Sequence, residues 1–331
     1  MKKVKRSKRK YRRKLWLDHR SRKLTNKNKK RRKKRSRKKH YTLLTLPEYF
    51  SLTGNTEITM NFIINLYKKI DKAGRGSHIF IDSHNVKIVT VEALIYLIAS
   101  IQNNHTCSAK KIICTGNYPK DKEAKKIYLN SGFNDYVRSR IKSLPHSNEK
   151  MEIKSGSNTV PEIAQQCCIF THNKQAQTKN LYTTIIELMS NTFHHAYNGN
   201  YWTEKKLWYI YAEREDDRIR FIFVDTGDGI AKTVRKNFAE KIKLLFGDIT
   251  GLTINDAQLI QSAFNGDFRT ATKQENRGNG LVTIKECMSN PPFENFEVIS
   301  GHGRYSIAGK ATNYSNKIYG TLFTFELRQG F

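Results

Sequence analysis

Three short polar segments, in a fixed order, constrain the fold of this chain more than any other feature. They are Glu187-Leu-Met-Ser-Asn191, Asp225-Thr-Gly-Asp-Gly229 and Arg277-Gly-Asn-Gly-Leu281. Glu187 and Asn191 are four residues apart, so in a helix they lie on one face and point at the same ligand. A carboxylate beside a carboxamide suits a metal ion and a water molecule. The first segment therefore predicts a helix that carries a ligand site.

The other two segments predict that the ligand is a nucleotide. An alternating apolar run over residues 219–223 ends at Asp225, and the glycines after it allow the backbone to approach a ligand closely. Gly278 and Gly280 precede a predicted helix over residues 281–287. Free backbone amides at the start of a helix, with glycines before them, favour phosphate.

These segments, followed by Gly320-Thr321, resemble the N, G1, G2 and G3 boxes of the GHKL superfamily, the fold shared by gyrase, Hsp90, MutL and histidine kinases. The resemblance extends over residues 178–327. It implies that residues 177–331 form an ATP-binding domain of the Bergerat fold, a two-layer α/β sandwich in which helices cover one face of a sheet. It also implies ATP and Mg²⁺ as ligands.

The resemblance gives each residue of the predicted site a role. Asn191 would hold Mg²⁺ through its amide oxygen, and Glu187 would orient the water that attacks the γ-phosphate or accept its proton. Asp225 would accept a hydrogen bond from the adenine amino group, with Thr321 supporting it from the strand behind. The other predicted ATP-binding residues are Gly227, Gly229, Arg277, Gly278, Gly280 and Leu281.

The segment between the second and third boxes, residues 231–276, is predicted to be the ATP lid and to contain a helix over Asp256–Asn265. Arg269, Lys273 and Arg277 are its candidate phosphate contacts, although cations in a polar loop are more often only solvated. Residues 187–197, ELMSNTFHHAY, are similar to the ELxxNAxxHAY form of anti-sigma-factor kinases, in which His195 and Tyr197 match. We interpret His194 and His195 as packing groups or as groups that support a residue of the site, because no further ligand lies at zinc spacing.

Residues 45–145 alternate between predicted strands and helices, which indicates a second, smaller α/β domain. This domain resembles a STAS domain, the fold of anti-anti-sigma factors. Where those factors have Asp-Ser-Ser/Thr-Gly, this chain has Thr90-Val-Glu-Ala93, so no serine there can accept phosphate. The domain is interpreted as a scaffold for docking a protein partner, with an unassigned α/β domain as the alternative. Residues 146–176 are predicted to be a linker and a short helix.

The charge of the chain is concentrated at its start. Residues 1–40 contain 24 Lys or Arg and one acidic residue, and so carry 23 of the 31 net positive charges. Such a segment cannot bury enough apolar surface to fold alone and is predicted to be disordered until a polyanion neutralises it. Nucleic acid is the expected partner, with an acidic protein or an anionic membrane as alternatives.

The remaining composition is that of a cytoplasmic protein. No apolar run reaches the length of a membrane span, and the apolar island in the basic tail is too short for a signal peptide. The five cysteines form no CxxC pair, which predicts reduced thiols and no metal site.

Three functions are compatible with these patterns. The leading hypothesis is a slow, Mg²⁺-dependent ATPase that acts as a nucleotide-controlled switch and binds nucleic acid through residues 1–40. The second is a serine/threonine protein kinase of the anti-sigma-factor type. The third is a nucleic-acid-binding module for which ATP is only a ligand. A histidine kinase is not favoured, because His172 lies in too short a helical stretch to belong to a dimerising hairpin.

Overall fold

A computed structural model describes residues 41–137, 149–171, 175–195, 207–246, 254–268 and 279–329 of the protein. The basic tail, residues 1–40, lies outside these ranges, and its predicted disorder and nucleic-acid binding stay predictions. From Thr42 onward the described residues belong to one α/β unit. No described helix has both the length and the apolar character that crossing a membrane requires.

The first part of this unit is a small layer of short strands and helices. Its strands are β1 (Tyr41–Thr45), β2 (Tyr49–Phe50), β3 (His78–Asp82), β4 (Ile88–Val89) and β5 (Ile113–Gly116). Its helices are α1 (Thr56–Lys72), α2 (Val91–Gln102), α3 (His105–Ala109), α4 (Lys122–Asn130) and α5 (Phe133–Tyr136). The strands form a three-stranded sheet in the order β1-β3-β5 and a separate parallel pair, β2-β4. The predicted α/β alternation is confirmed, and the likeness to a STAS domain stays a prediction.

The second part is built on a seven-stranded antiparallel sheet. Its strands are β6 (Lys150–Gly156), β7 (Trp208–Glu215), β8 (Arg218–Asp225), β9 (Phe293–Ser300), β10 (Gly303–Ser306), β11 (Ala311–Asn313) and β12 (Thr321–Arg328). The spatial order is β11-β10-β9-β12-β8-β7-β6, so β12, the last strand in the chain, lies between β9 and β8. This order brings the end of β8 next to the start of β12.

Helices cover one face of this sheet. They are α6 (Pro161–Thr171), α7 (Gln175–His195), α8 (Ile230–Asn237), α9 (Ala239–Phe246), α10 (Asp256–Asn265) and α11 (Gly280–Met288). Leu181, Ile185 and Leu188 of α7 pack with Ile284 of α11 against the strands. Helices α8 and α10 share a smaller core of Ala231, Val234, Leu259, Ala263 and Phe268. The described parts of the predicted lid are thus packed helices rather than an open loop.

The opposite face of the sheet is also covered, which the predicted two-layer sandwich did not include. Tyr209, Tyr211, Ile222 and Val224 share one core with the N-terminal layer, and the central element of that core is α2. Residues of α2 from Val91 to Ser100 are all buried. The sequence does indicate burial of this strand on both faces, because Phe-Ile-Phe-Val over residues 221–224 is continuously apolar.

The prediction that residues 146–176 form only a linker and a short helix has to be corrected. Within residues 146–176 the short helix is present as α6, but Lys150–Gly156 is an edge strand that pairs with β7. Met151 packs on the helix side of the sheet and Ile153 on the α2 side, because the register shifts between Met151 and Lys154. In the sequence, Met151 and Ile153 alternate with charged residues, but Ser155, Gly156 and Ser157 after them indicate a loop.

Candidate functional site

The start of α11 meets the middle of α7 at the residues of the first and third predicted segments. Glu187 and Asn191 lie one turn apart on α7, on the side that faces Gly280. A Cβ atom on Gly280 would lie 2.7 Å from Oε2 of Glu187 and 3.1 Å from Oδ1 of Asn191. Only a residue without a side chain leaves both polar groups undisturbed at this position.

Both polar residues at this junction are partly buried. Nδ2 of Asn191 is buried and has no hydrogen-bond partner in the described part of the chain. Burial raises the pKa of Glu187 above its ordinary value. The helix α11 begins at Gly280, and the first amide groups of a helix have no partner within it. A ligand rich in oxygen acceptors would satisfy both the Asn191 amide and these backbone donors.

Asp225 occupies a separate buried position at the end of β8. In the sheet it lies opposite Trp208 of β7 and opposite Thr321 of β12. The backbone N–H of Gly227 donates a hydrogen bond of 2.8 Å to Oδ1 of Asp225. Burial raises the pKa of Asp225 to about 7, although the hydrogen bonds from Gly227 and Thr321 act in the opposite direction. The predicted proximity of Asp225 and Thr321 is therefore present in the strand register.

The backbone around Asp225 is closely packed at Gly320. This residue has a φ of +81°, and a Cβ atom there would overlap the carbonyl oxygen of Asp225 and Cα of Thr226. The turn after Asp225 and the entry to β12 are thus in direct backbone contact. Gly229, with a φ of +79°, similarly lies against the carbonyl oxygen of Gly320.

Ser300 is a component of this region that the sequence analysis missed. It is buried at the end of β9, and its hydroxyl donates to the carbonyl oxygen of Gly320 at 2.9 Å. Oγ of Ser300 also accepts from the backbone N–H of Ile230 at 2.9 Å and lies 3.3 Å from Oγ1 of Thr321. Ser300 thereby joins the glycine turn to β12. The only sequence signal is its place at the end of an apolar strand, which does not show which strand is its neighbour.

The two clusters are linked through the helix layer. Ile230 follows Gly229 and Leu281 follows Gly280, and both side chains pack against the small core formed by α8 and α10. The structure therefore brings together Glu187, Asn191 and Gly280, and separately Asp225, Gly227, Gly229 and Thr321. Arg277 and Gly278 lie outside the described residues, as do Arg269, Lys273 and Tyr197. His194 and His195 lie in the last turn of α7.

Within the described ranges, no group of three or more His, Cys, Asp or Glu side chains is placed to hold a metal ion. At the α7–α11 junction, Oδ1 of Asn191 is the kind of hard oxygen atom that Mg²⁺ binds.

A scan against models of known protein families finds no match for this chain, and a search of curated proteins finds no significantly similar protein.

Proposed function

We propose that this protein is an adenine-nucleotide-binding protein of the GHKL type, which binds ATP with Mg²⁺ and hydrolyses it slowly. The observation that carries the proposal is the junction of α7 and α11. There Glu187 and Asn191 face Gly280, and Nδ2 of Asn191 is buried without a partner among the described residues. Leaving a buried donor unpaired costs about 1–3 kcal/mol, so such a group is expected to have a ligand.

The start of α11 supports a phosphate at this junction. The free amides and the positive end of a helix dipole attract an anion, and Gly280 leaves room for it. Asn191 would offer its amide oxygen to Mg²⁺ and its amide hydrogens to a phosphate oxygen. Mg²⁺ held by Asn191 would neutralise part of the charge of the phosphates.

Glu187 supports hydrolysis rather than binding alone. Its carboxylate lies one turn from Asn191 and is half-buried, and burial raises its pKa. A carboxylate with a raised pKa is a stronger base, so Glu187 can orient a water molecule and accept its proton. We assign it the role of general base.

The surroundings of Asp225 support adenine as the base. The carboxylate is buried at the end of β8, beside the turn that contains Gly227 and Gly229, and it accepts a backbone hydrogen bond from Gly227. A buried carboxylate oxygen can accept a hydrogen bond from the amino group of adenine, whereas guanine presents a carbonyl oxygen at that position. Leu281 and Thr321 complete the proposed binding set, together with Arg277 and Gly278 of the same glycine-rich segment.

Incubation with Mg²⁺ and γ-labelled ATP tests the proposal. We expect labelled free phosphate from the wild-type protein and none above background from Glu187→Ala, while ATP binding persists in that variant. Asn191→Ala should lose both binding and turnover. Glu286→Ala, which removes an exposed carboxylate from α11, is the matched control and should behave as the wild type.

The other outcomes discriminate between the alternative functions. Label on protein serine or threonine would indicate a protein kinase instead of an ATPase, and absence of ATP uptake would refute the proposal.

We further propose that residues 1–40 bind nucleic acid. Titration of labelled DNA at increasing salt should give a binding slope of about 0.9 per phosphate contact, and this binding should be lost when residues 1–40 are removed.

A further inference from the structure

The loop before Gly320 and Thr321 is held by the N-terminal layer. The carboxylate of Glu57, in the first turn of α1, accepts hydrogen bonds from the backbone N–H groups of Ser315 and Asn316. The amide nitrogen of the Asn316 side chain donates to the carbonyl oxygen of Glu57 at 3.3 Å. Residues 315–316 are thus hydrogen-bonded to the start of α1, which belongs to the N-terminal layer.

Tyr96 of α2 binds the same loop at its last residue. Its hydroxyl donates to the carbonyl oxygen of Tyr319 at 2.8 Å and accepts from the backbone N–H of Tyr319 at 2.7 Å. The ring of Tyr319 also meets the ring of Tyr67 from α1, with centroids 4.7 Å apart. Tyr96 is fully buried, so one hydroxyl satisfies both backbone groups of the residue that precedes Gly320.

Asn103, at the end of α2, binds the other loop beside Asp225. Its amide nitrogen donates to Oγ1 of Thr226 at 2.8 Å and to the carbonyl oxygen of Leu207 at 3.0 Å. Thr226 is the residue between Asp225 and the first glycine of the turn. One helix of the N-terminal layer therefore bonds both loops that meet at Asp225.

We infer that α2 positions the base-recognition loops of the nucleotide site, with Tyr96 and Asn103 as positioning residues. The inference rests on the proposed function. Gly320 is in backbone contact with Asp225 and Thr226, so a displacement of Tyr319 by α2 is transmitted to the Asp225 carboxylate.

Calorimetric titration of Tyr96→Phe and Asn103→Ala with Mg-ATP, ADP and GTP tests the inference. Tyr128→Phe is the matched control, because this tyrosine is also buried in the N-terminal layer and its hydroxyl bonds only Ser83, at 3.2 Å, among the described contacts. We expect the dissociation constants for ATP and ADP to rise about tenfold in both test variants and to stay unchanged in the control. The ratio of the ATP affinity to the ADP affinity should not change, whereas the ratio of the ATP affinity to the GTP affinity should decrease.

These readouts separate positioning from a purely structural role. A loss of folded protein lowers the binding stoichiometry and leaves base preference intact, and that result would overturn the inference. Unchanged affinity in both folded variants would do the same while leaving the proposed function in place. If the wild type binds no adenine nucleotide, the proposed function itself fails.

Hydrogen exchange on the wild-type protein provides a second test that needs no variant. With Mg-ATP present, the amides of α2 and of residues 315–320 should exchange more slowly, although the proposed phosphate contacts lie on the other face of the sheet. Protection confined to α7, α11 and the Asp225 turn would contradict the inference.

Discussion

At the residue scale, Asp225 makes the stability of the protein depend on pH. Burial raises its pKa from 3.8 to about 7, so the folded state retains a proton that the unfolded state releases. The contribution of Asp225 to stability is complete below pH 3.8 and is lost as the pH rises to 7. The size of this loss is up to about 4 kcal/mol, because each pKa unit corresponds to about 1.4 kcal/mol.

The variant Asp225→Asn isolates this effect, because asparagine cannot ionise. We expect the free energy of unfolding of the variant, relative to the wild type, to increase between pH 4 and pH 7 and to be constant above. Urea unfolding at unit pH intervals measures this difference. A difference that does not vary with pH would contradict the assignment.

A substitution at Gly280 should reduce ATP turnover while leaving the stability of the protein almost unchanged. In Gly280→Ala the new Cβ atom lies against the ends of the Glu187 and Asn191 side chains, which can rotate away, and alanine is favourable in a helix. We therefore expect an unfolding midpoint close to that of the wild type, with ATP turnover reduced at least about tenfold because both proposed site residues are displaced. Thermal unfolding and a phosphate-release assay measure the two quantities.

Gly74→Ala is the control for this variant. A Cβ atom at Gly74 would make only an ordinary contact of 3.7 Å with Ser77, so both stability and turnover should be retained. Turnover by Gly280→Ala equal to that of this control would refute the proposed role of the α7–α11 junction.

At the scale of elements, α2 is the structural centre of the N-terminal layer, since its apolar residues contact both that layer and the sheet. Leu94→Ala removes a fully buried side chain from this helix and should lower the free energy of unfolding by about 2–5 kcal/mol. Ile58→Ala on α1 removes a side chain that is 56% exposed and should cost much less. Urea unfolding of both variants measures the contrast, and equal effects would contradict the placement of α2 in the core.

The elements that the sequence predicted best carry local end signals. The prediction of a helix over Asp256–Asn265 is confirmed, because Asn255 and Gln258 form a capping box and Gly266 ends the helix with a positive φ. The alternating apolar run that ends at Asp225 likewise predicted β8, whose last residue is Asp225. The strand β6 was missed because Ser155, Gly156 and Ser157 at its end indicate a loop or linker.

Contacts between distant segments were only partly predictable. The sequence analysis placed Asp225 beside Thr321 through a family resemblance, and the strand register has the two residues opposite one another. Ser300, Tyr96 and Asn103 were not predicted, since their contacts depend on which strand and which layer lie next to each other. No short-range pattern encodes that information.

At the scale of the whole molecule, the two layers that flank the sheet should unfold together. The sequence analysis separated residues 45–145 from residues 177–331, yet the N-terminal layer shares an apolar core with the sheet. Cys107 reports on that layer and Cys167 on the helix layer, and both are buried free thiols. We expect the two thiols to become reactive at the same urea concentration, as measured by pulsed alkylation and mass spectrometry.

Two separated midpoints would instead show that the layers unfold independently. Cys168 and Cys287 are only partly buried and provide internal controls, since they should react in part before global unfolding.

The double burial of β7 and β8 limits how such a protein can be rearranged by recombination. Exchange of the N-terminal layer for an unrelated sequence would expose four apolar side chains of the sheet to water: Tyr209, Tyr211, Ile222 and Val224. The resulting exposed hydrophobic patch would promote aggregation. The two halves must therefore be inherited together, and gene fusions that preserve a soluble product are confined to the ends of the chain or to its surface loops.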